Sequence, residues 1–147
     1  MPIEIKVAQF HELSNTELYQ LLQLRTEVFV VEQDCVYQDM DDKDFESLHL
    51  ILLLDKNIAA YTRIYQSLEA SHIGRVVVKK EHRKNDLGRL IMKESVDSCE
   101  AEYGKQDIII SAQLYLLKFY SDLGFSSEGE IYLEDGIKHI QMRYVFS

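Results

Sequence analysis

The sequence predicts an α/β domain of the α+β type, in which a mixed central β-sheet is flanked by helices. Strand-like and helix-like segments follow one another in the order β-α-β-β-β-α-β-α-β-β. Some strands adjoin as hairpins, which pair antiparallel, whereas others lie on either side of a helix, which favours a parallel crossover. The chain has 147 residues, of which 46% are hydrophobic, so we expect residues 1–147 to form a single domain with a buried core.

Each element has a local signal in the sequence. Alternating apolar and polar residues predict the first strand, and a capping box of Ser14 and Glu17 begins a helix that apolar residues at helical spacing extend to about Val30. Short apolar runs predict the later strands, Gly104 ends the second helix, and Asp135-Gly136 is typical of a hairpin turn. The predicted strands are 3–7, 48–54, 58–65, 73–78, 107–112, 129–134 and 137–144, and the predicted helices are 14–30, 87–103 and 115–123.

A basic loop joins the fourth strand to the second helix, an arrangement that can bind an anion. The start of a helix gathers unpaired backbone N–H groups and the positive end of the helix dipole, so a phosphate needs only space and a nearby cation. Gly88 supplies space, and Arg83, Lys84 and Arg89 supply cations. We expect Asp86 to turn its carboxylate away from an anion by capping its own helix. The glycine patterns of a P-loop and of a dinucleotide-binding fold do not occur.

Several segments of the chain resemble one enzyme superfamily. The spacing Arg83-x-x-Asp86-x-Gly88 resembles the pyrophosphate loop Arg/Gln-x-x-Gly-x-Gly/Ala of the GCN5-related N-acetyltransferases, or GNAT superfamily. Asp86 stands at the first glycine of that pattern, a place where the ElaA-like branch also varies. A later segment, from Gln113 through Tyr120, is similar to the part of these enzymes in which a strand splays from its neighbour and a helix bearing a tyrosine follows. Further similarity to the ElaA-like branch lies in 24–33, 73–78 and 134–140.

The resemblance covers nearly the whole chain and implies an N-acetyltransferase. Its co-substrate would be acetyl-CoA, without a metal, and a primary amine of a small molecule or peptide would attack the thioester directly. The backbone of Val76, Val77 and Val78 would pair with the pantetheine arm, with the N–H of Val78 as first choice for polarising the thioester carbonyl. Gln113 would also offer hydrogen bonds to the pantetheine. The pyrophosphate would bind Arg83, Lys84, Asn85, Asp86, Leu87, Gly88 and Arg89.

The resemblance also implies a general acid and a general base. Tyr120 would protonate the leaving thiolate, since a phenol with a pKa near 10 is not ionised at neutral pH. An ammonium must lose a proton before it attacks, and Glu32, which follows the first helix where family substrates enter, is the first choice for the base. His49, His139 and water are the alternatives. A lone histidine on an apolar strand is more often a satisfied core residue, a caution that applies to His49 and equally to His139.

Two other functions fit the same resemblance. A GNAT-fold chain could bind acyl-CoA as a regulatory module without turning it over. The segment 24–29 also resembles the opening of acyl-homoserine-lactone synthases, which share the fold. Those enzymes bind acyl carrier protein through a basic surface, whereas this chain carries 25 acidic and 16 basic residues. The acidic balance therefore disfavours the synthase.

Composition narrows the expected partners and location. A formal net charge of −9 argues against a nucleic-acid surface and suits a cationic or amine partner. No apolar run approaches the roughly 20 residues that cross a bilayer, and the N-terminus lacks a secretory signal, so we expect a cytoplasmic protein without a membrane partner. Cys35 and Cys99 are expected to be free thiols. The closing hairpin could offer an edge strand to a second copy, which leaves a homodimer open.

An acidic loop and three arginines lead to two further expectations. The acidic loop 39–44 lacks the glycine and the bidentate glutamate of a calcium loop, so we expect it to be solvated and open to substrate. Arg25, Arg63 and Arg75 are single cations among apolar neighbours. Each is expected to pair with an acid, with recognition of a substrate carboxylate as the alternative.

Overall fold

A computed structural model describes residues 2–147, which form one seven-stranded mixed sheet with helices on both faces. The spatial order of the strands is β1-β2-β3-β4-β5-β7-β6. The strands are β1 (Ile3–Gln9), β2 (Leu48–Leu54), β3 (Asn57–Gln66), β4 (Ser71–Val78), β5 (Ile108–Gln113), β6 (Ser126–Glu134) and β7 (Ile137–Tyr144). The helices are α1 (Asn15–Arg25), α2 (Leu87–Tyr103) and α3 (Leu117–Asp122). The predicted order of elements is confirmed, and the edge strands are β1 and β6.

The sheet opens between β4 and β5. These two strands are parallel and pair only over 71–72 and 108–109, beyond which they diverge. A register shift on the other side of β4 places Thr62 of β3 opposite two residues of β4, one of which is Arg75 with a φ of 50°. Within residues 2–147, β4 therefore has no strand partner on its β5 side beyond His72. The prediction that this pair of strands splays is confirmed.

The two longer helices cover opposite faces of the sheet. Leu21 and Leu24 of α1 pack with Tyr61 and Val77 in one core cluster, whereas α2 packs in a second, larger cluster. Side chains alternate between the faces of a strand. Consequently Val77 points toward α1, while its neighbours in β4 point toward α2.

The first helix changes its winding near its C-terminal end. The capping box is confirmed, because Ser14 Oγ accepts from the N–H of Glu17 at 3.0 Å and Glu17 Oε1 accepts from the N–H of Ser14 at 2.8 Å. The predicted helix to about Val30 ends as an α-helix at Arg25, and a π-helical segment, Thr26–Glu32, continues it. Wider turns of this kind are frequent at functional sites.

Three arginines and three aspartates form one ion-pair cluster, which we call the Arg–Asp cluster. Its contacts join Arg25 to Asp39 and Asp44, Arg63 to Asp41 and Asp44, and Arg75 to Asp39 and Asp41. Each arginine pairs with an acid, as predicted. The expectation of a solvated loop over 39–44 holds for 40–43, which are exposed, but is wrong for Asp39 and Asp44, which are buried and bind the guanidinium groups beneath them.

The structure also bears on the expectations about the cysteines, membrane-spanning helices and a homodimer. Cys35 and Cys99 are free thiols. In the part of the chain that the structure describes, no helix has the length and apolar character needed to cross a membrane. A homodimer stays a prediction, with β6 as a largely exposed edge strand.

Candidate active site

A cavity of about 670 Å³ lies at the gap between β4 and β5. Its lining includes Ile110 and Tyr120, which belong to the core on the α2 side of the sheet. It also includes Ser111 and His139. Ser111 follows Ile110 in β5 and therefore points to the opposite face. Since residues of both faces line it, the cavity passes through the sheet where the strands have separated.

The open edge of β4 turns backbone groups toward this gap. The N–H of Lys79 donates to the carbonyl of Ala59 in β3 at 2.8 Å, so the backbone of the preceding residue, Val78, faces away from β3. The Val78 carbonyl instead accepts from Nε of Arg83 at 3.1 Å. Because the N–H and C=O of one strand residue point to the same side, the N–H of Val78 also faces the open side. This direction suits the role predicted for it.

The predicted phosphate loop leads into the first turn of α2, where several backbone amides are unpaired. The first backbone N–H to bond within α2 is that of Leu90, which donates to the carbonyl of Asp86 at 3.1 Å. The amides of Leu87, Gly88 and Arg89 precede that bond and are the unpaired groups of a helix N-terminus. The side chains of Lys84, Asn85 and Arg89 are exposed beside them.

Asp86 does not cap α2 with its side chain, so that expectation is wrong. Its backbone is left-handed, with φ 58° and ψ 20°, whereas a side chain reaches the first helical N–H groups from an extended backbone. A left-handed position favours glycine, which accounts for the glycine of the general pattern at this place.

The space left by Gly88 faces the protein interior. A Cβ atom there would lie 3.4 Å from Cζ of Phe119 in α3 and 3.6 Å from Cγ2 of Val78 in β4. Both distances are ordinary van der Waals contacts, so this position faces α3 and the open strand and not the exposed cations of the loop.

Glu32 and Arg83, predicted as base and phosphate ligand, bind each other in this structure. The guanidinium and carboxylate form two parallel hydrogen bonds, one of them Nη2 to Oε1 at 2.8 Å. The hydrogen bond and charge of Arg83 lower the pKa of Glu32. Glu32 also lies outside the lining of the cavity. A carboxylate that is already bound to a guanidinium is a poor proton acceptor.

Tyr120 lies on α3 and lines the cavity. Its ring packs edge-on against Phe119 and Phe125, with centroid separations of 5.1 and 6.1 Å. Burial raises the pKa of Tyr120, which keeps the phenol protonated. Among residues 2–147 the hydroxyl has no hydrogen-bond partner, so its proton is available to a ligand in the cavity.

Gln113 is joined to the segment that follows the first helix. Its side-chain amide exchanges two hydrogen bonds with that of Gln33, at 3.3 and 3.2 Å, and both residues line the cavity. The pair spans the cavity from β5 to the α1 side. The predicted hydrogen bonds from Gln113 to pantetheine would have to share its amide with Gln33.

His49 is a core residue whose ring nitrogens both have hydrogen-bond partners, as is usual for a lone histidine on an apolar strand. It is fully buried, its Nδ1 accepts from the hydroxyl of Tyr61 at 2.5 Å, and its Nε2–H donates to the carbonyl of Asp44 at 2.9 Å. Burial lowers the pKa of His49. It does not line the cavity, and both ring nitrogens have partners, so it is not placed to act as a base.

A cluster of four polar side chains beside the cavity was not predicted from the sequence. Glu134 and Tyr132 of β6 lie beside His139 of β7, and Ser111 of β5 contacts both β6 residues. The signal for this group was present in the hairpin. A two-residue turn fixes the register so that Tyr132 lies opposite His139, and alternation then places Glu134 on the same face.

A mixed sheet with a splayed parallel pair, a cavity through the gap and a helix start beside the open strand defines an acyltransferase of the GNAT class. The chain belongs to the acetyltransferase (GNAT) domain family, whose model matches residues 11–146. It is 39% identical to the protein ElaA of Escherichia coli K12 over 145 residues, which cover 95% of each chain. Both the predicted fold class and the predicted ElaA-like resemblance are thereby confirmed.

Solved structures agree with this family. The crystal structure of E. coli ElaA superposes with a TM-score of 0.92 at 38% identity and covers 97% of this chain and 99% of that one. An acyl-CoA N-acyltransferase from Pseudomonas aeruginosa has a TM-score of 0.92 at 37% identity, with coverage of 98% and 100%. PaiA N-acetyltransferase from Thermoplasma acidophilum, solved in complex with coenzyme A, shares the fold at 15% identity, with a TM-score of 0.72 and coverage of 99% and 100%.

Proposed function

We propose that this protein is an acetyl-CoA-dependent N-acetyltransferase that acetylates a primary amine of a small molecule or peptide by direct attack on the thioester. One observation carries the proposal. The unpaired edge of β4 and the phenol of Tyr120 meet at a single cavity that passes through the sheet. The site therefore combines a backbone edge for an extended thioester arm with a proton donor for its leaving sulfur.

The residues around the gap fit coenzyme A. The extended backbone of β4 offers hydrogen bonds to an amide-containing arm, in the way that a strand pairs with a neighbour. The free amides of Leu87, Gly88 and Arg89, together with the exposed charges of Lys84 and Arg89, suit a pyrophosphate. The complex of the fold relative PaiA with coenzyme A supports this assignment.

The chemical step needs a polarised carbonyl and a protonated leaving group. The N–H of Val78 points to the open side of β4, where it would donate to the carbonyl oxygen as negative charge develops there. Such a donor in a dry site is worth about 3 kcal/mol in the transition state. As the C–S bond breaks, Tyr120 gives its proton to the thiolate, and the C–N bond to the acceptor has already formed.

Free thiol release tests the proposal. The purified protein is incubated with acetyl-CoA and a panel of primary amines, polyamines and peptides with free N-termini, and the matched control is the N-acetylated form of each acceptor. We expect release of free thiol above background hydrolysis with at least one acceptor, and an acetylated product by mass spectrometry. Silence across the whole panel contradicts the proposal, and tight binding without turnover would instead identify a non-catalytic acyl-CoA-binding module.

A further inference from the structure

The hydrogen bonds of His139 fix which of its ring nitrogens can accept a proton. Nδ1 lies 2.7 Å from the carbonyl oxygen of Ile137, and a carbonyl can only accept, so Nδ1 carries the hydrogen. The neutral ring then has its lone pair on Nε2. Nε2 lies 3.4 Å from Oε2 of Glu134, which is too long for a normal hydrogen bond and leaves the lone pair free. A backbone carbonyl that holds the tautomer in this way prepares the other nitrogen as a base.

His139 also lies on the correct side of the gap to meet an acceptor. It pairs with Gln113 across β5 and β7, and adjacent strands lie about 4.8 Å apart, so its ring is one strand away from the opening beside β4. Tyr120 reaches the same cavity from the α3 side of the sheet. A nucleophile and a leaving group occupy different sides of the carbonyl under attack, and the two residues lie on different sides of the sheet.

We propose that His139 is the general base of this active site and that Glu134 stabilises the imidazolium that forms. This inference rests on the proposed function and assigns the residue that accepts the proton of the acceptor. Nε2 takes one proton from the alkyl ammonium, and the free amine forms the C–N bond before the C–S bond breaks. The thiolate takes the proton of Tyr120, the second amine proton replaces it on the phenolate, and the imidazolium releases its proton to solvent.

Several other ionisable side chains lie near His139. Tyr132 from β6 stacks on the imidazole with ring centroids 6.0 Å apart, and Glu134 of the same strand lies beside Nε2. Asp135 from the turn and Cys35 from the segment after the first helix also line the cavity, and the Cys35 thiol donates to the Asp135 carbonyl at 3.3 Å. Of these groups, Glu134 is the one whose carboxylate lies within 4 Å of Nε2.

Kinetics with two kinds of acceptor test the assignment. With an alkyl amine, His139→Gln should lower kcat/KM at pH 7 at least 100-fold and remove the acidic limb of the pH–rate profile, because general bases contribute about 10²–10⁴-fold. With hydroxylamine, which is already neutral at pH 7, the same variant should lose less than about 5-fold. Tyr120→Phe is the matched control and should be impaired with both acceptors. Glu134→Gln should lower the rate without removing the acidic limb.

Three results would overturn the assignment. The first is equal impairment of His139→Gln with the alkyl amine and with hydroxylamine, and the second is loss of the acidic limb in Glu134→Gln alone. The third does not depend on turnover and comes from nitrogen-15 NMR of histidine-labelled protein, which should show the Nδ1–H tautomer of His139 at neutral pH, with calorimetry confirming that His139→Gln still binds acetyl-CoA. An Nε2–H tautomer refutes the proposal even if no acceptor has been found, whereas failed turnover in the wild-type protein refutes only the proposed function.

Discussion

Replacing Asp44 by asparagine should destabilise the fold strongly, because this carboxylate joins two buried arginines. Oδ1 of Asp44 accepts from Nη1 of Arg25 at 2.7 Å and from Nη1 of Arg63 at 2.9 Å, and the side chains of the two arginines are 0% and 3% exposed. Removing one partner of a buried ion pair costs about 3–5 kcal/mol. Each guanidinium keeps one other carboxylate, Asp39 or Asp41, so we expect about 3 kcal/mol for Asp44→Asn.

Urea unfolding followed by circular dichroism measures this change. A loss of about 3 kcal/mol, with an m-value of about 2 kcal/mol/M, shifts the midpoint down by about 1.5 M. The matched control is Asp122→Asn, whose pair with Lys118 is 46% and 88% exposed, and it should change the free energy of unfolding by no more than about 0.5 kcal/mol. If Asp44→Asn costs no more than this control, the Arg–Asp cluster does not hold the loop as described.

The free energies of unfolding of the wild-type protein and of Asp44→Asn should converge at low pH. Burial by itself raises the pKa of Asp44, but the hydrogen bonds and charges of Arg25 and Arg63 outweigh it and hold the pKa below its ordinary value of 3.8. A carboxyl with a lowered pKa in the folded state contributes stability that is complete above its unfolded pKa and is lost as pH falls through the folded one. The difference between wild type and Asp44→Asn should therefore be constant from pH 7 to about pH 5 and shrink below about pH 4.

Substitutions at Tyr120, Glu32 and Asp86 test the active site and the start of α2. Tyr120→Phe should lower kcat about 100-fold or more, with the affinity for acetyl-CoA and the melting temperature nearly unchanged, whereas Tyr115→Phe, at a side chain that is 73% exposed, should have no effect in the same kinetic measurement. Glu32→Gln frees Arg83 from a half-exposed ion pair worth at most about 1 kcal/mol, so calorimetry should show coenzyme A binding up to about 5-fold tighter; a 100-fold fall in kcat instead would restore Glu32 as the base. Asp86→Gly should be about 1 kcal/mol more stable to unfolding than Asp86→Ala, since a Cβ is crowded in the left-handed conformation; equal thermal stability of the two variants would contradict this.

The elements were predictable because local signals and long-range packing agree along this chain. The capping box of Ser14 begins the first helix, and Asp135 and Gly136 both have positive φ, at 51° and 78°, as a two-residue hairpin turn requires. The splay between β4 and β5 had no local signal in the residues of β4, and it entered only through the resemblance to the superfamily. The π-helical segment was missed, because its residues have the same apolar spacing as an α-helix over so few turns.

The site was harder to predict, because it depends on which charges meet in space. Sequence spacing identified Arg83 and Glu32 separately, but they are 51 positions apart, and nothing local shows that they form an ion pair. The burial of Asp39 and Asp44 in the acidic loop was missed because the arginines that bind them come from other elements, Arg63 lying on β3. His139 was named only as an alternative base, although the hairpin register already placed it on one face with Glu134.

Calorimetric titration of the folded protein with acetyl-CoA tests whether the open edge of β4 and the start of α2 together bind a thioester nucleotide. We expect saturable uptake of one acetyl-CoA per chain, weakened by added salt because the pyrophosphate is held partly by cations. The absence of binding heat at two temperatures, in material that melts cooperatively, would contradict it.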